Sequence, residues 1–325
     1  MRSVSVAAAL IAVNAVVGCS AVANYHMVAT APGSAPGPCA RAHHLAGGHH
    51  YQQAGPYIGV TVAGFPKYTS SLTKFENATG VRPGLISYDP RFGAPFDSRA
   101  ACYAVSRGAI PVIQINPVTT PLAGIVSGRY DSYLRSYAAE VRRFKARIVV
   151  SFGHEMNAMW YRWGWTHTRS RLFVAAWRHI VDVFRAERAH NVTWLWIVSG
   201  LGSPHITSPR PWWPGGDYVN WVGIDAYYHQ PSQTFSTVLG PTLAAVRSFT
   251  HKPVLLADTG VSPAAGEAAK IANLFAGIRK YRLLGLVWFD ANKVPSWRLE
   301  ANPAAVAAFR REVEKHMKPR ELRSR

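Results

Sequence analysis

The sequence is short of acid. Among 325 residues there are 17 Asp+Glu against 36 Lys+Arg, a formal net charge of +19. A surplus of this size bears on association with anionic polymers or surfaces, not on fold. The basic residues are spread out, as at Arg142, Arg143, Lys145 and Arg147 and again at Arg310, Arg311, Lys315, Lys318, Arg320, Arg323 and Arg325. That spread reads as solvated helix faces and a basic tail. No zinc-finger, RNA-recognition or helix-turn-helix pattern accompanies it, so nucleic acid is not an expected partner. Cysteine is scarce too, with Cys19, Cys39 and Cys102 only. None has metal-type spacing and no His/Asp cluster has ligand spacing, so neither a metal nor any other cofactor is expected. A Gly-rich phosphate loop is missing after the first apolar strand, which weakens a nucleotide-binding open sheet. The longest apolar run near the start, 4–17, is too short for a comfortable membrane span.

That run has a targeting character. Arg2 supplies a positive start, small residues follow, and Val16-Val17-Gly18-Cys19 resembles a bacterial lipoprotein signal. Ordinary secretion with cleavage a few residues on is the other reading of 1–19. Both predict a mature protein outside the cytoplasm, extracellular or as a cell-surface lipoprotein, where an anionic envelope is a candidate partner. Residues 20–54 are rich in Ala, Gly, Pro and His without apolar periodicity and read as a flexible linker, His43, His44, His49 and His50 included. Export permits a Cys39–Cys102 disulfide. Residues 55–318 form one expected domain, a monomer, followed by a basic tail at 319–325.

Within that domain the rhythm is regular. Strand-like runs fall at 57–62, 84–88, 110–115, 147–152, 192–198, 218–225, 253–258 and 283–290, short, β-branched or aromatic, with little alternation, as strands buried on both faces are. Helix-like segments lie between them at 130–145, 169–190, 235–249, 268–281 and 304–317; the second carries Phe173, Trp177, Ile180 and Phe184 at three- and four-residue spacing. Eight strands with helices between them predict an α/β fold, a (β/α)8 TIM barrel, with a doubly wound open sheet as runner-up.

A barrel puts its functional groups at the C-terminal ends of its strands. The scarce acids sit there: Glu155 after strand 4, Asp225 at the end of strand 6, Asp258 at the end of strand 7 and Asp290 at the end of strand 8. The densest stretch is 151–164, where His154 and Glu155 are followed by Asn157, Trp160, Tyr161 and Trp163. Flat apolar rings desolvate a carboxyl and raise its pKa, which suits a general acid. Paired carboxylates at a barrel mouth suit glycoside hydrolysis, one protonated to assist the leaving oxygen and one ionised to attack carbon or activate water. Trp160, Trp163, Tyr227, Trp288 and Trp297 are candidate stacking faces for sugar rings. The aromatic segment Pro211-Trp212-Trp213-Pro214 reads as a distal sugar platform or as a hydrophobic plug over the barrel.

The run His154-Glu155-Met156-Asn157-Ala158-Met159-Trp160-Tyr161-Arg162-Trp163-Gly164 resembles the acid/base motif of glycoside hydrolase family 26, a family of β-mannanases, mixed-linkage glucanases and β-1,3-xylanases. Gly223-Ile224-Asp225-Ala226-Tyr227, the segment 252–260 and Val287-Trp288-Phe289-Asp290 resemble its strand-6, strand-7 and strand-8 segments in the same order. The resemblance implies Glu155 as general acid/base, His154 orienting the nucleophile side of the site, and Trp160 as a sugar platform. It further implies Asp225 and Tyr227 on sugar hydroxyls or positioning the nucleophile, and Asp258 in the place of the nucleophile. Two positions depart from the pattern. Asp258 stands where the family has glutamate, and Ala158 where it usually has glycine. Asp258 is therefore expected as nucleophile or as base on water, in an enzyme acting on a β-mannan or β-glucan type of polysaccharide. The alternative is a catalytically weak or inactive barrel that binds glycan at the cell envelope.

Overall fold

A computed structural model describes residues 56–293 and 295–317. Residues 1–19, the linker 20–54 and the tail 319–325 lie outside the described residues. So does Cys39; Cys102 is buried and disulfide-bonded.

The eight strands close into a barrel of parallel neighbours in chain order, the TIM-barrel arrangement expected from the sequence. They are β1 (Tyr57–Val62), β2 (Leu85–Tyr88), β3 (Ile110–Ile115), β4 (Ile148–Phe152), β5 (Val192–Ser199), β6 (Trp221–Tyr228), β7 (Val254–Val261) and β8 (Gly285–Asp290). Nine α-helices accompany them among the described residues: α1 (Ser70–Thr79), α2 (Ser98–Ser106), α3 (Leu122–Val126), α4 (Asp131–Phe144), α5 (Ser170–Ala186), α6 (Phe235–Val238), α7 (Gly240–Arg247), α8 (Glu267–Lys280) and α9 (Pro303–Met317). The segment 235–249, expected as one helix, is two. Pro241 lacks an N–H and sits in the first turn of α7, so the chain restarts there. β6 and β7 run three residues further than expected, so Asp225 and Asp258 lie within their strands and not at the ends.

Alternation along the strands divides the core in two. Leu85, Val112, Val149, Leu195, Ile197, Trp221, Leu255, Ala257 and Val287 fill the barrel interior. Their neighbours of opposite phase face the helices; on α5, Phe173, Trp177, Ile180 and Phe184 are buried against that layer. Between β5 and β6 there is no α-helix, only 3-10 turns at Arg210–Trp212 and Gly216–Tyr218. The tryptophans of 211–214 pack there instead. Trp212 meets Phe173 of α5 edge-on at 5.6 Å, and Trp213 meets Trp196 of β5 at 5.1 Å. The segment therefore seals the outer wall where a crossover helix would lie. It is neither a sugar platform nor a plug over the mouth.

Toward the C-terminal end the barrel axis turns polar. Thr61, Ser87, Gln114, Ser151, Ser199, Asp225 and Asp258 are all buried. A β-bulge brings Asp258 into that layer. Gly223 pairs with Leu255 and Ile224 with Leu256, but Asp225 pairs with Asp258, so β7 has one residue more than β6. Ala257 already faces the interior, so strict alternation would turn Asp258 outward. The extra residue resets the phase and re-aims its carboxyl inward, a recurrent use of bulges beside active sites.

Candidate active site

Glu155 stands where β4 ends. The chain turns abruptly there: Gly153 has φ 57° and Glu155 φ 52°, both left-handed. A side chain on Gly153 would crowd Phe173 and Trp163, so glycine fits both the conformation and the space. Glu155 holds its unusual conformation through its own N–H, which donates to the Ile197 carbonyl of β5 at 3.0 Å. A non-glycine residue held in this region costs on the order of 1 kcal/mol and clusters at functional sites. Asn157 secures the same turn from below. Its amide donates to the Ser199 and Thr207 carbonyls and accepts from the Ser199 N–H at 2.8 Å.

The Glu155 carboxyl is pushed up to about 7, chiefly by burial, while hydrogen bonds from Trp160 and Ser199 pull it back. The Trp160 indole N–H donates to Glu155 Oε2 at 2.8 Å, and the ring is 50% exposed, so it offers a flat face beside the acid. His154 is neutral: burial, with Lys293, lowers it to about 4. Its Nδ1 lies 2.9 Å from Asn116 Oδ1 and its Nε2 2.9 Å from the Tyr161 hydroxyl. Nδ1–H donating to Asn116 and the Tyr161 hydroxyl donating to Nε2 satisfies all three groups. Tyr161 in turn stacks on Trp163 with centroids 4.4 Å apart and planes 5° from parallel. His154 thus braces the turn that carries Glu155 and spends both ring nitrogens away from Asp258.

Asp258 lies across the axis. Oδ1 accepts from Thr61 of β1 at 2.7 Å and Oδ2 from the Gln114 amide of β3 at 3.4 Å; Gln114 also donates to the Ser87 hydroxyl at 3.0 Å. Burial and the charge of Asp89 push Asp258 up to about 8, against the pull of Thr61 and Gln114. Burial, with the charges of Asp258 and Glu155, pushes the Asp225 carboxyl well above the usual carboxylate range, and its Oδ1 is buried without a hydrogen-bond partner. Tyr227, half-buried, continues the β6 wall and packs on Trp297 at 4.8 Å.

The structure therefore brings Glu155, Trp160, Asp225, Tyr227 and Asp258 to one mouth. Trp288 does not join them. It pairs with Val60 in the outward phase, is fully buried against Phe309 of α9, and donates its indole N–H to the Trp297 carbonyl. Its ring cannot meet a sugar; it anchors the loop whose Trp297 backs Tyr227. Trp163 and Trp297 are buried as well, which leaves Trp160 and part of Tyr227 of the five expected faces. Ala158 is buried, so its methyl does not narrow the cleft.

Sequence reasoning passed over Thr61, Gln114, Asn116, Lys293 and Asp89. Lone polar residues inside apolar strands, such as Gln114 in Ile110–Ile115, were the available signal. Asp89, one residue past β2, is exposed, and crowding by the surrounding protein pushes its carboxyl to about 6, with Lys293 opposing. No group of His, Cys, Asp and Glu suited to a metal ion occurs among the described residues.

A parallel barrel with a raised glutamic acid just after β4, a buried carboxyl on β7 and an exposed tryptophan bonded to the glutamic acid has the make-up of a barrel glycosidase. Comparison with known proteins agrees. Residues 122–252 match the model of Glycosyl hydrolase family 26, a span that holds Glu155 and Asp225 and ends before Asp258. Endoglucanase H of Acetivibrio thermocellus is 29% identical over 284 residues, 81% of this chain and 31% of that protein. Mannan endo-1,4-beta-mannosidase A and B of Caldalkalibacillus mannanilyticus is 34% identical over 85 residues, 24% of this chain and 16% of that protein. Among solved structures, a GH26 β-mannanase from Bacteroides ovatus superposes with a TM-score of 0.60 at 18% identity, covering 82% of this chain and 90% of its own. Residues 122–252 of the chain are thus similar to glycosyl hydrolase family 26. The chain spans less than a third of the length of the endoglucanase that it matches.

Proposed function

We propose that the barrel hydrolyses O-glycosidic bonds in a β-linked polysaccharide of the mannan or glucan class, with Glu155 as general acid/base and Asp258 as nucleophile or as base on water. The observation that carries the reading is the Glu155 carboxyl, raised to about 7 beside an exposed indole that binds it. Near neutral pH such a group is available both as proton donor and as acceptor. In the first step Glu155 gives its proton to the glycosidic oxygen as the bond from that oxygen to the anomeric carbon breaks. The anomeric carbon takes its new oxygen from Asp258 or from water. Trp160 would hold the sugar face, and Asp225 and Tyr227 would line the wall opposite. The names of the relatives, an endoglucanase and mannan endo-1,4-beta-mannosidases, set the substrates to try.

The test is release of reducing ends from β-mannan, mixed-linkage β-glucan and β-1,3-xylan by the parent, Glu155→Gln and Asp258→Asn. Loss of cleavage in the variants is expected; variants as active as the parent would refute the site. The second reading, a glycan-binding barrel of little activity, is favoured by the short reach of Asp258, and binding to the panel without reducing ends from the parent would select it. A large gain on Asp258→Glu would show that side-chain length limits the chemistry. We further place the protein outside the cytoplasm, at or beyond an anionic envelope, on the character of segment 1–19 and the net charge of +19. Retention of a chain lacking 1–19 inside the cell checks that placement.

A further inference from the structure

The end of the barrel opposite the mouth has a basic rim. Six turns there lead from a helix into the next strand, at 80–84, 107–109, 145–147, 187–191, 248–253 and 281–284. Each carries a cation: Arg82, Arg107, Lys145, Arg188, Lys252 and Arg282. Arg147 adds a second in its turn, and Glu187 is the one acid among the six turns. Arg107 is paired with Glu76 at 3.0 Å. Lys145, Arg188 and Arg282 are exposed and form no ion pair among the described residues. These three also hold conformations that suit glycine. Four described residues other than glycine have a left-handed φ: Glu155 at the site, and Lys145 at 64°, Arg188 at 58° and Arg282 at 51°. Helices commonly end on glycine at such a position. A helix dipole favours a nearby cation, but α4, α5 and α8 already carry Arg142 and Arg143, Arg185, and Arg279 and Lys280 in their last turns. The dipole therefore does not account for a further cation in a strained place.

The chain joins the barrel at this same end. β1 starts there at Tyr57, directly after the stretch that reads as a linker. α9 returns there, with Arg310 donating to the Thr79 carbonyl at the end of α1 at 2.8 Å. Tyr281 is exposed in the last of the six turns, with Lys280 Nζ 5.5 Å from its ring centroid. An exposed tyrosine among cations suits the headgroup level of a bilayer. We propose that this rim docks on a bilayer of anionic lipid, so that the mouth with Glu155 and Trp160 points away from the membrane. The inference rests on the reading that puts the protein at an anionic envelope, and adds to it the face, the lipid and the orientation. The cations are dispersed around the rim, ahead of β2, β3, β4, β5, β7 and β8. A plane of lipid phosphates meets them together, whereas one strand of a soluble polyanion meets only a few. Each Lys or Arg at an anionic surface contributes about fivefold in affinity, and salt screens it.

The experiment sediments the full chain with vesicles of phosphatidylglycerol and phosphatidylcholine in equal parts, and with vesicles of phosphatidylcholine alone, at about 0.1 M salt. The parent should bind the anionic vesicles at least about tenfold more tightly than the neutral ones, and lose that preference at about 1 M salt. The triple variant Lys145→Gly, Arg188→Gly, Arg282→Gly should bind the anionic vesicles about a hundredfold more weakly. It should melt no lower than the parent, because glycine relieves the left-handed positions, so lost binding is not lost folding. Lys67→Gln, Arg91→Gln and Arg129→Gln together remove the same charge from exposed loops on the mouth side, and that triple should bind like the parent. Amide exchange of the bound parent should slow at 145–147, 187–191 and 281–284 and stay unchanged at 153–163. Equal losses in the two triples would make the attraction one of net charge and overturn the proposal. So would a parent that does not distinguish the two vesicles, or slowed exchange at 153–163 instead of the rim. A parent held by double-stranded DNA but not by the anionic vesicles binds soluble polyanions, and the bilayer falls. The assay needs no export, so the two readings fail apart. Vesicles refused by a chain that segment 1–19 exports sink this inference alone, and docking by a chain that stays inside the cell sinks the placement alone.

Discussion

Trp160→Phe isolates the bond between indole and acid. The variant keeps an aromatic face beside the cleft but removes the N–H that donates to Glu155 Oε2 at 2.8 Å. That donor stabilises the carboxylate, so it lowers a pKa that burial has raised to about 7, and its loss must move the pKa further up. A hydrogen bond to a charged group contributes roughly 1.5–3 kcal/mol when buried, and the exposure of Trp160 brings this to about 1 kcal/mol. At 1.36 kcal/mol per unit that is a rise of about 0.7. Glu155 acts protonated in the first step, so the alkaline limb of kcat/KM should shift upward by the same amount. At pH 8, relative to its own plateau, the variant should retain about three to four times the fraction of activity that the parent does. The assay is a pH profile of kcat/KM for both proteins on one glycan, with absolute rates left aside because the smaller ring stacks less well. An unmoved limb, or one displaced to lower pH, would refute the assignment of that limb to Glu155 or the bond itself.

Asp258→Asn should cost activity and raise stability. Its carboxyl titrates near 8 in the folded chain against 3.8 for the ordinary group, so the folded state keeps a proton that the unfolded state has lost, and the parent loses stability as pH rises through that window. An amide does not ionise, and Gln114, whose Oε1 is buried and unbonded, can turn to accept from it. Thermal melts should match at pH 4 and separate by several degrees at pH 8, the variant higher; equal melts at both would show that Asp258 is not held neutral. His154 should stay neutral by NMR down to about pH 4, and a midpoint near 6.5 would contradict its burial between Asn116 and Tyr161. Trp288→Leu should destabilise by roughly 2–4 kcal/mol, because a buried ring is cut back against Phe309, and should leave KM nearly unchanged. A raised KM with unchanged stability would return Trp288 to the cleft.

The barrel was legible because buried parallel strands leave a coarse signal, short β-branched runs at regular intervals. Glu155 was legible because its whole environment is local: the turn, the indole and the brace of His154 with Tyr161 fall within 153–163. What failed was phase. Trp288 looked like a cleft residue from its place near the end of β8, yet it is Val287 and not Trp288 that faces the interior. One residue decides between touching sugar and packing under α9, and a strand that is apolar throughout carries no alternation to reveal which.

Asp258 shows the same limit from the opposite side. Strict alternation from Leu255 and Ala257 would have turned it outward, and only the extra residue in β7 turns it in. Bulges leave little trace in a sequence, since any residue of small or ordinary size can be the unpaired one. Asp258 therefore reaches the axis through a local distortion, and Thr61 and Gln114 hold its carboxyl there. Removing Thr61's hydroxyl by Thr61→Val should therefore disturb Asp258 alone. If Asp258 is the nucleophile, kcat falls steeply. If it only orients a water, the loss stays within about tenfold.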